Sequence, residues 1–398
     1  MKASLLCKRT DLRAAVEQLM PAISTRAPMI VLLHIAVEID LNQNMLHLSS
    51  TDLEVRISTS IPAQITMEID TPESFLIPAQ IFTDLLAIME GEQVKLVVDG
   101  HSLLVQTGAT KTRISLLAED EFPPEFVMEE GALPLALSSA LFKSALQRVI
   151  IAASSDETRL NLNSVQVCAL AEGTLRLAAT DGFRLATEVI PIQSEPEEQR
   201  EFLLPLNVAK KLLRVLPDDA DSHLLIEADE GRALFSWGDT RYWGLLLQNQ
   251  YPDWERLIYG EDGENLKSNA QEFERDALQM AVKRAEIFAR DAQVAYLVHF
   301  KPSQSGMQVS GESTQTGQSE EEIACPISIP FALNGLFALQ GLSALKSPRP
   351  KLLLTGSHKP VIFSEGDFVY MVMPLAIEEE KIVVAEAPVS VDAEPVPA

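Results

Sequence analysis

The sequence predicts an α+β protein built as three copies of one domain plan, followed by a short acidic tail. Two observations carry that reading. An apolar-Pro entry, a helix of about three turns, a polar turn and alternating strands recur from Ile77-Pro78, Leu204-Pro205 and Ile329-Pro330, with the prolines 127 and then 125 residues apart. Other landmarks keep the step: Thr51-Asp52 returns as Thr180-Asp181, and Phe122-Pro123 as Tyr251-Pro252, each 129 residues on. Such a period is too long for a solenoid turn and suits whole domains, expected at 1–126, 127–256 and 257–375, each of ordinary size for a single core. Residues 305–322 hold the place of the Thr-Asp motif in the third copy without its signature, so that copy rests on its helices and last hairpin.

Each copy begins with an amphipathic helix. Leu12, Val16, Leu19 and Met20 form the first apolar stripe, and Leu141, Ala145, Val149 and Leu278, Val282, Ala285 begin the corresponding ones. Their polar faces are basic: Lys8, Arg9 and Arg13, then Lys143 and Arg148, then Lys283, Arg284 and Arg290. The second helix of the second copy adds Lys210, Lys211 and Arg214. The chain carries −25 overall, with 57 acidic against 32 basic residues, yet about a third of its Lys and Arg falls on these few helices. A shared surface of those helices would meet a polyanion, since screening over about 8–10 Å keeps distant acids from cancelling it. No aromatics interleave with the cations, so the contact expected is to phosphates and indifferent to sequence.

Several function classes are excluded. Cys7, Cys168 and Cys325 lie far apart with no CxxC pair, which argues against a disulfide framework or zinc ribbon and for a reducing, cytoplasmic setting. The N-terminal SLLC has too short an apolar run for a lipoprotein signal, and no run reaches the roughly 18 residues of a membrane span. The six histidines are isolated, and GxxxxGK[ST], GxGxxG and GxSxG are absent. Asp181 and Arg184 in ATDGFRLA read as turn chemistry, so no catalytic residue, metal or cofactor is expected. Residues 376–398, with six acids and three prolines, read as a disordered acidic tail.

The TDGFRLA segment, the YPDWERLI segment and the closing YMVMPL, in this order within a threefold repeat, resemble the bacterial DNA polymerase III β subunits, the β sliding clamps. The resemblance covers about 1–375. It implies the DNA-clamp fold: two inner helices and outer antiparallel sheets per domain, and two chains closed head to tail into a ring. It further implies a homodimer that encircles double-stranded DNA without sequence preference and tethers the polymerase for processive synthesis. Ile287 and Phe288 would begin the dimer contact, and Arg26 would approach DNA beside the basic helices.

The resemblance also implies a peptide pocket between the second and third domains for the polymerase III α subunit, the clamp loader and other proteins with clamp-binding motifs. Carried across, it comprises Leu162, Thr180, Gly182, Phe183, Arg184, Leu185, Pro252, Arg256 and Leu257 from the second domain. The third domain supplies Pro360, Val361, Met371, Val372, Met373, Pro374 and Leu375. Arg184 and Arg256 would take the peptide's polar groups, and methionines suit several partners. Phe183 stands where relatives carry His or Tyr, and Gln80 and Asn207 stand where basic residues are common. An adaptor that binds peptides without encircling DNA is the alternative reading.

Overall fold

A computed structural model describes residues 2–24, 29–68, 73–118, 122–128, 134–194, 199–219, 221–259, 270–290, 296–354, 356 and 359–376. Arg26 and the tail from 377 onward lie outside these residues. Among the described residues the helices are α1 (Arg9–Leu19), α2 (Ala79–Ile88), α3 (Ser139–Val149), α4 (Leu206–Val215), α5 (Glu255–Tyr259), α6 (Arg275–Ala289) and α7 (Gly335–Ala344). None is long and apolar enough to cross a membrane.

Helices pack in pairs within each repeat, α1 with α2, α3 with α4 and α6 with α7, and bury their apolar stripes on antiparallel strands. In α1 the buried positions are Leu12, Ala15, Val16 and Leu19. In α3 Ala145 and Val149 are buried as expected, but Leu141 faces outward and Phe142 takes the core position, its ring tilted against Phe235 at 5.9 Å. Ser138 caps the start of α3 by accepting from Leu141 N. The SLLC segment is part of the strand Lys2–Lys8, with Cys7 buried.

The strands form four sheets. A five-stranded sheet lies in the first repeat and ends at Thr110–Ser115; a four-stranded sheet lies in the third and ends at Gly317–Ile323. The two eight-stranded sheets between them each span a junction. Val55–Pro62 of the first repeat pairs with Thr240–Leu245 of the second, Arg56 opposite Trp243. Arg184–Pro191 of the second pairs with Phe368–Val372 of the third, Leu185 opposite Met371. One rule therefore makes both joints: the strand leaving the Thr-Asp turn pairs with the last strand of the next repeat. Backbone hydrogen bonds thus run across the boundaries.

A tyrosine rivets each joint to a helix. Tyr242 donates to Val208 O at 2.6 Å, and Tyr370 donates to Phe337 O at 2.9 Å, in each case three residues after the helix N-cap. Gly341 is required where it stands, because a Cβ there would lie 2.2 Å from the Tyr370 ring. Residues 307–323 do form the hairpin whose signature is missing from the sequence, Met307–Ser313 against Gly317–Ile323.

Candidate functional site

At the second joint the turn Thr180–Arg184 is built by its own side chains. Asp181 Oδ1 accepts from Phe183 N at 2.9 Å and Arg184 N at 3.1 Å, and Thr180 Oγ1 donates to Arg184 O at 2.6 Å. Gly182 takes φ +93°, open to glycine at no steric cost. Phe183 is thereby pushed outward and is 61% exposed. Its carbonyl accepts from Met373 N at 2.8 Å, so the third repeat's last residues are laid along the turn. Leu375 N donates to Ala332 O at 2.8 Å and fixes that segment one step further.

The structure sorts the sixteen pocket residues into surface and support. Phe183, Pro252, Arg256, Leu257, Pro360, Met373, Pro374 and Leu375 are exposed or half-buried, and Gly182 forms the turn between them. Leu162 and Thr180 are nearly covered. Leu185, Val361, Met371 and Val372 are core residues, not groove surface, because their strands are sandwiched in the second eight-stranded sheet. Leu185 and Met371 pack with Tyr251, Trp254 and Ile258 into a separate apolar cluster that backs the groove.

The role expected of Arg184 also needs correcting. Its guanidinium is buried, pairs with Asp181 at 3.0 Å, bonds the Gln340 side chain and lies 4.2 Å over the Phe337 ring. It braces the turn against α7 and is not free for a peptide. Arg256 remains exposed, 3.0 Å from Asp253. Four neighbours escaped the sequence reading: Phe337 and Gln340 on α7, Arg159, which donates to Asp181 O at 3.0 Å, and Tyr251, whose hydroxyl accepts from Thr180 N at 3.0 Å. The Tyr251-Pro252 repeat landmark was the one available signal. Burial pushes the Tyr251 hydroxyl far above its ordinary pKa, so it stays protonated.

Of the basic helices, Lys8 and Lys210, Arg214, Lys283 and Arg284 are exposed, the last paired with Glu321 at 2.6 Å. Arg9 and Arg13 are half-buried; Arg9 donates to Gly91 O at 2.7 Å and Arg13 pairs with Glu17 at 2.7 Å. Three other cations are diverted from a phosphate-facing role. Arg148 is buried, donating to Ala344 O at 2.9 Å and pairing with Glu188 at 2.7 Å and with Glu365, while stacking 3.8 Å over Phe368. Lys143 is held by Leu216 O and Asp218, both at 2.7 Å. Lys211 is paired with Asp52. Each cation is neutralised by a repeat-boundary or inter-helix partner far away in sequence.

On α6, Ile287 is 54% exposed and Phe288 half-buried, its ring edge 3.7 Å from the Cβ position of Gly317 on the outermost strand. Both therefore sit at the open end of the third repeat.

Comparison with known proteins extends the geometry. The family models described as "DNA polymerase III beta subunit, N-terminal domain" and "DNA polymerase III beta subunit, central domain" match residues 3–127 and 136–253. The beta sliding clamp of Synechocystis sp. is 26% identical over 400 residues, covering 94% of this chain and 99% of that protein. That of Staphylococcus epidermidis is 25% identical, covering 87% and 91%. Among solved structures, a sliding clamp from Pseudomonas aeruginosa bound to griselimycin superposes with a TM-score of 0.84 at 20% identity, covering 95% of this chain and all of that one. A DNA polymerase III beta subunit from Thermotoga maritima gives 0.82 at 22%, covering 94% and 100%. These superpositions establish a common fold.

Proposed function

This chain belongs to the DNA polymerase III beta subunit family and is a DNA sliding clamp, and on that premise we propose that two copies close head to tail into a ring around duplex DNA. In this reading the three domains meet near residues 126 and 256, and the ring works in the cytoplasm without catalysis. It tethers the polymerase III α subunit, and admits the clamp loader and other motif-bearing proteins, through the groove at Phe183 and Met373.

The observation that carries the reading is what the joint-making rule leaves over. Applied once more, it pairs Gly317–Ile323, the strand after the third repeat's turn, with Thr110–Ser115, the last strand of the first repeat. Both are sheet edges in a single chain, and a second copy placed head to tail would pair them. Their charges match: Glu320, Glu321 and Glu322 on one, Lys111 and Arg113 on the other.

The helix beside the free edge agrees. Ile81 and Ile88 of α2 are 59% and 79% exposed, whereas Val208 and Val215, at the same distances from the α4 N-cap, are buried. The hydrophobic cost of leaving two such side chains in water, about 1.5–3 kcal/mol each, favours a covered joint. Exposed Ile287 supplies a matching surface.

Retention on DNA is then topological. The cations need only soften electrostatic repulsion from a chain of −25, and few strong phosphate contacts would be compatible with sliding. The test measures solution mass by light scattering and retention on nicked circular against linearised DNA after loading. A dimer whose DNA complex is lost on linearisation is expected. A monomer at micromolar concentration, or equal retention on both DNAs, overturns the ring. Ile287→Asp should shift the mass toward the monomer without unfolding the chain.

A further inference from the structure

At the proposed partner groove Phe183, Leu257 and Met373 are open to solvent, and the chain's last described residues run beside the Thr180–Arg184 turn. Met373 is hydrogen bonded to the Phe183 carbonyl and Leu375 to Ala332, so whatever follows Leu375 starts at the groove itself. Twenty-two residues follow Ala376. Their longest uninterrupted apolar run is Ile382-Val383-Val384-Ala385, preceded by Glu378, Glu379 and Glu380.

The first of these, Ile382, lies seven residues beyond Leu375, a reach of up to about 24 Å, ample for the chain to turn back on Phe183. Arg159, exposed beside the Thr180–Arg184 turn, and exposed Arg256 are cations that acids following Leu375 could meet.

We propose that this tail segment, centred on Ile382–Val384, occupies the groove between partners, so that an incoming peptide must displace it. The inference rests on the reading of the groove as the partner site and adds its regulation. The apolar run fills the space that leucine or phenylalanine anchors of a partner would take, and the glutamates pass the arginine rim. A tether this short gives an effective concentration on the order of 1 mM, so a segment with a free affinity of only about 0.5 mM would weaken a competing peptide about threefold. Occupancy is thus weak enough to yield to a partner and strong enough to exclude chance apolar contacts.

The experiment uses the full chain and a fluorescent peptide with leucine and phenylalanine anchors and no acidic residue, titrated at low and high salt. Full-length protein carrying I382S, V383S and V384S should bind about threefold more tightly than the unmodified chain at both salt concentrations, and full-length E378Q, E379Q, E380Q should gain less. No tightening in the serine variant overturns the proposal. So does a gain confined to the glutamine variant and abolished by salt, which would mean repulsion at a distance without occupancy. Failure of the peptide to bind any form, including a chain ending at Ala376, removes the groove reading itself and the tail's role with it.

Discussion

At the first joint, Lys211 of α4 pairs with Asp52 and lies 3.8 Å from Glu54, and Asn207 donates to Glu54 at 2.7 Å, so the Thr51–Val55 turn is tied to the neighbouring repeat by its own acids. At the second joint the place of Lys211, six residues after the helix N-cap, is taken by neutral Gln340 of α7. Glu54 is replaced by Phe183, whose side chain faces solvent. The same strands, tyrosine rivet and helix pairs thus carry a turn tied to the next repeat by its acids in one case, and in the other a turn tied by Arg184 to Gln340 and Phe337 that leaves the Phe183 side chain exposed. In the proposed reading, the second joint becomes the docking site because its turn carries an apolar side chain where the first carries an acid that pairs with α4.

The second joint is tied again on its other side. Arg148 reaches Glu188 and Glu365 from opposite repeats and caps the end of α7 through Ala344 O. At the first joint the equivalent reach is made by neutral Gln18, 3.3 Å from Thr240. Replacing Arg148 with Met should therefore be the most damaging single change, since it strands two largely buried carboxylates. A loss of about 3–5 kcal/mol is expected, read as a lowered urea midpoint with early protection loss in hydrogen exchange at Phe368–Val372. Gln18→Leu should cost under about 1 kcal/mol. Equal effects would mean the two joints are held alike.

Burial raises the pKa of Glu188 despite the adjacent Arg148 guanidinium, and the sign of the consequence follows. A carboxyl whose folded pKa exceeds its unfolded value stabilises most below the unfolded pKa and loses that contribution as pH rises through the folded one. Acidification toward pH 5 should therefore not loosen this joint through Glu188. Glu188→Gln should flatten that part of the stability profile, measured by urea unfolding between pH 4.5 and 7.

A smaller effect separates the two turns as binding surfaces. Met373→Ala should reduce partner-peptide affinity about tenfold, about 1.4 kcal/mol, by removing an exposed groove side chain while leaving the mass of the dimer unchanged. Leu53→Ala, at the equivalent turn of the first joint, should leave the same titration untouched. An effect of Leu53→Ala as large as that of Met373→Ala would place a second groove at the first joint.

Much of this was legible in the sequence, and the failures share a cause. The repeat, the helices and the Asp181 turn depend on local spacing, which a sequence displays. Arg148 was read as a solvated cation because its partners Glu188 and Glu365 are 40 and 217 residues away. Arg184 was assigned to a peptide for the same reason, Gln340 being 156 residues on. The third repeat's hairpin was hidden because GQSEEEI contains a single buried apolar residue, Ile323, so its sequence shows no apolar alternation. Leu185 and Met371 belonged to the right strands, but side-chain alternation turned them into the cluster behind the groove.

The least disruptive test compares the helices α4 and α7 beside the two joints. Helix α4 carries Lys210, Lys211 and Arg214, whereas α7, GLFALQGLSA, carries no charge, with Leu339, Gln340 and Ser343 at the matching positions. If DNA passes both joints, phosphate contact is concentrated on the first. Lys210→Ala and Arg214→Ala, both exposed, should each lower the slope of log affinity against log salt by about 0.9 if the residue meets one phosphate. Lys211→Ala should leave that slope unchanged, because its ammonium already serves Asp52, and should instead loosen the first joint. Introducing Ser343→Arg on α7 should add a contact and steepen the slope by a similar amount. A slope that falls for Lys211→Ala and stays level for its two neighbours would turn α4 around and reverse the assignment of its faces.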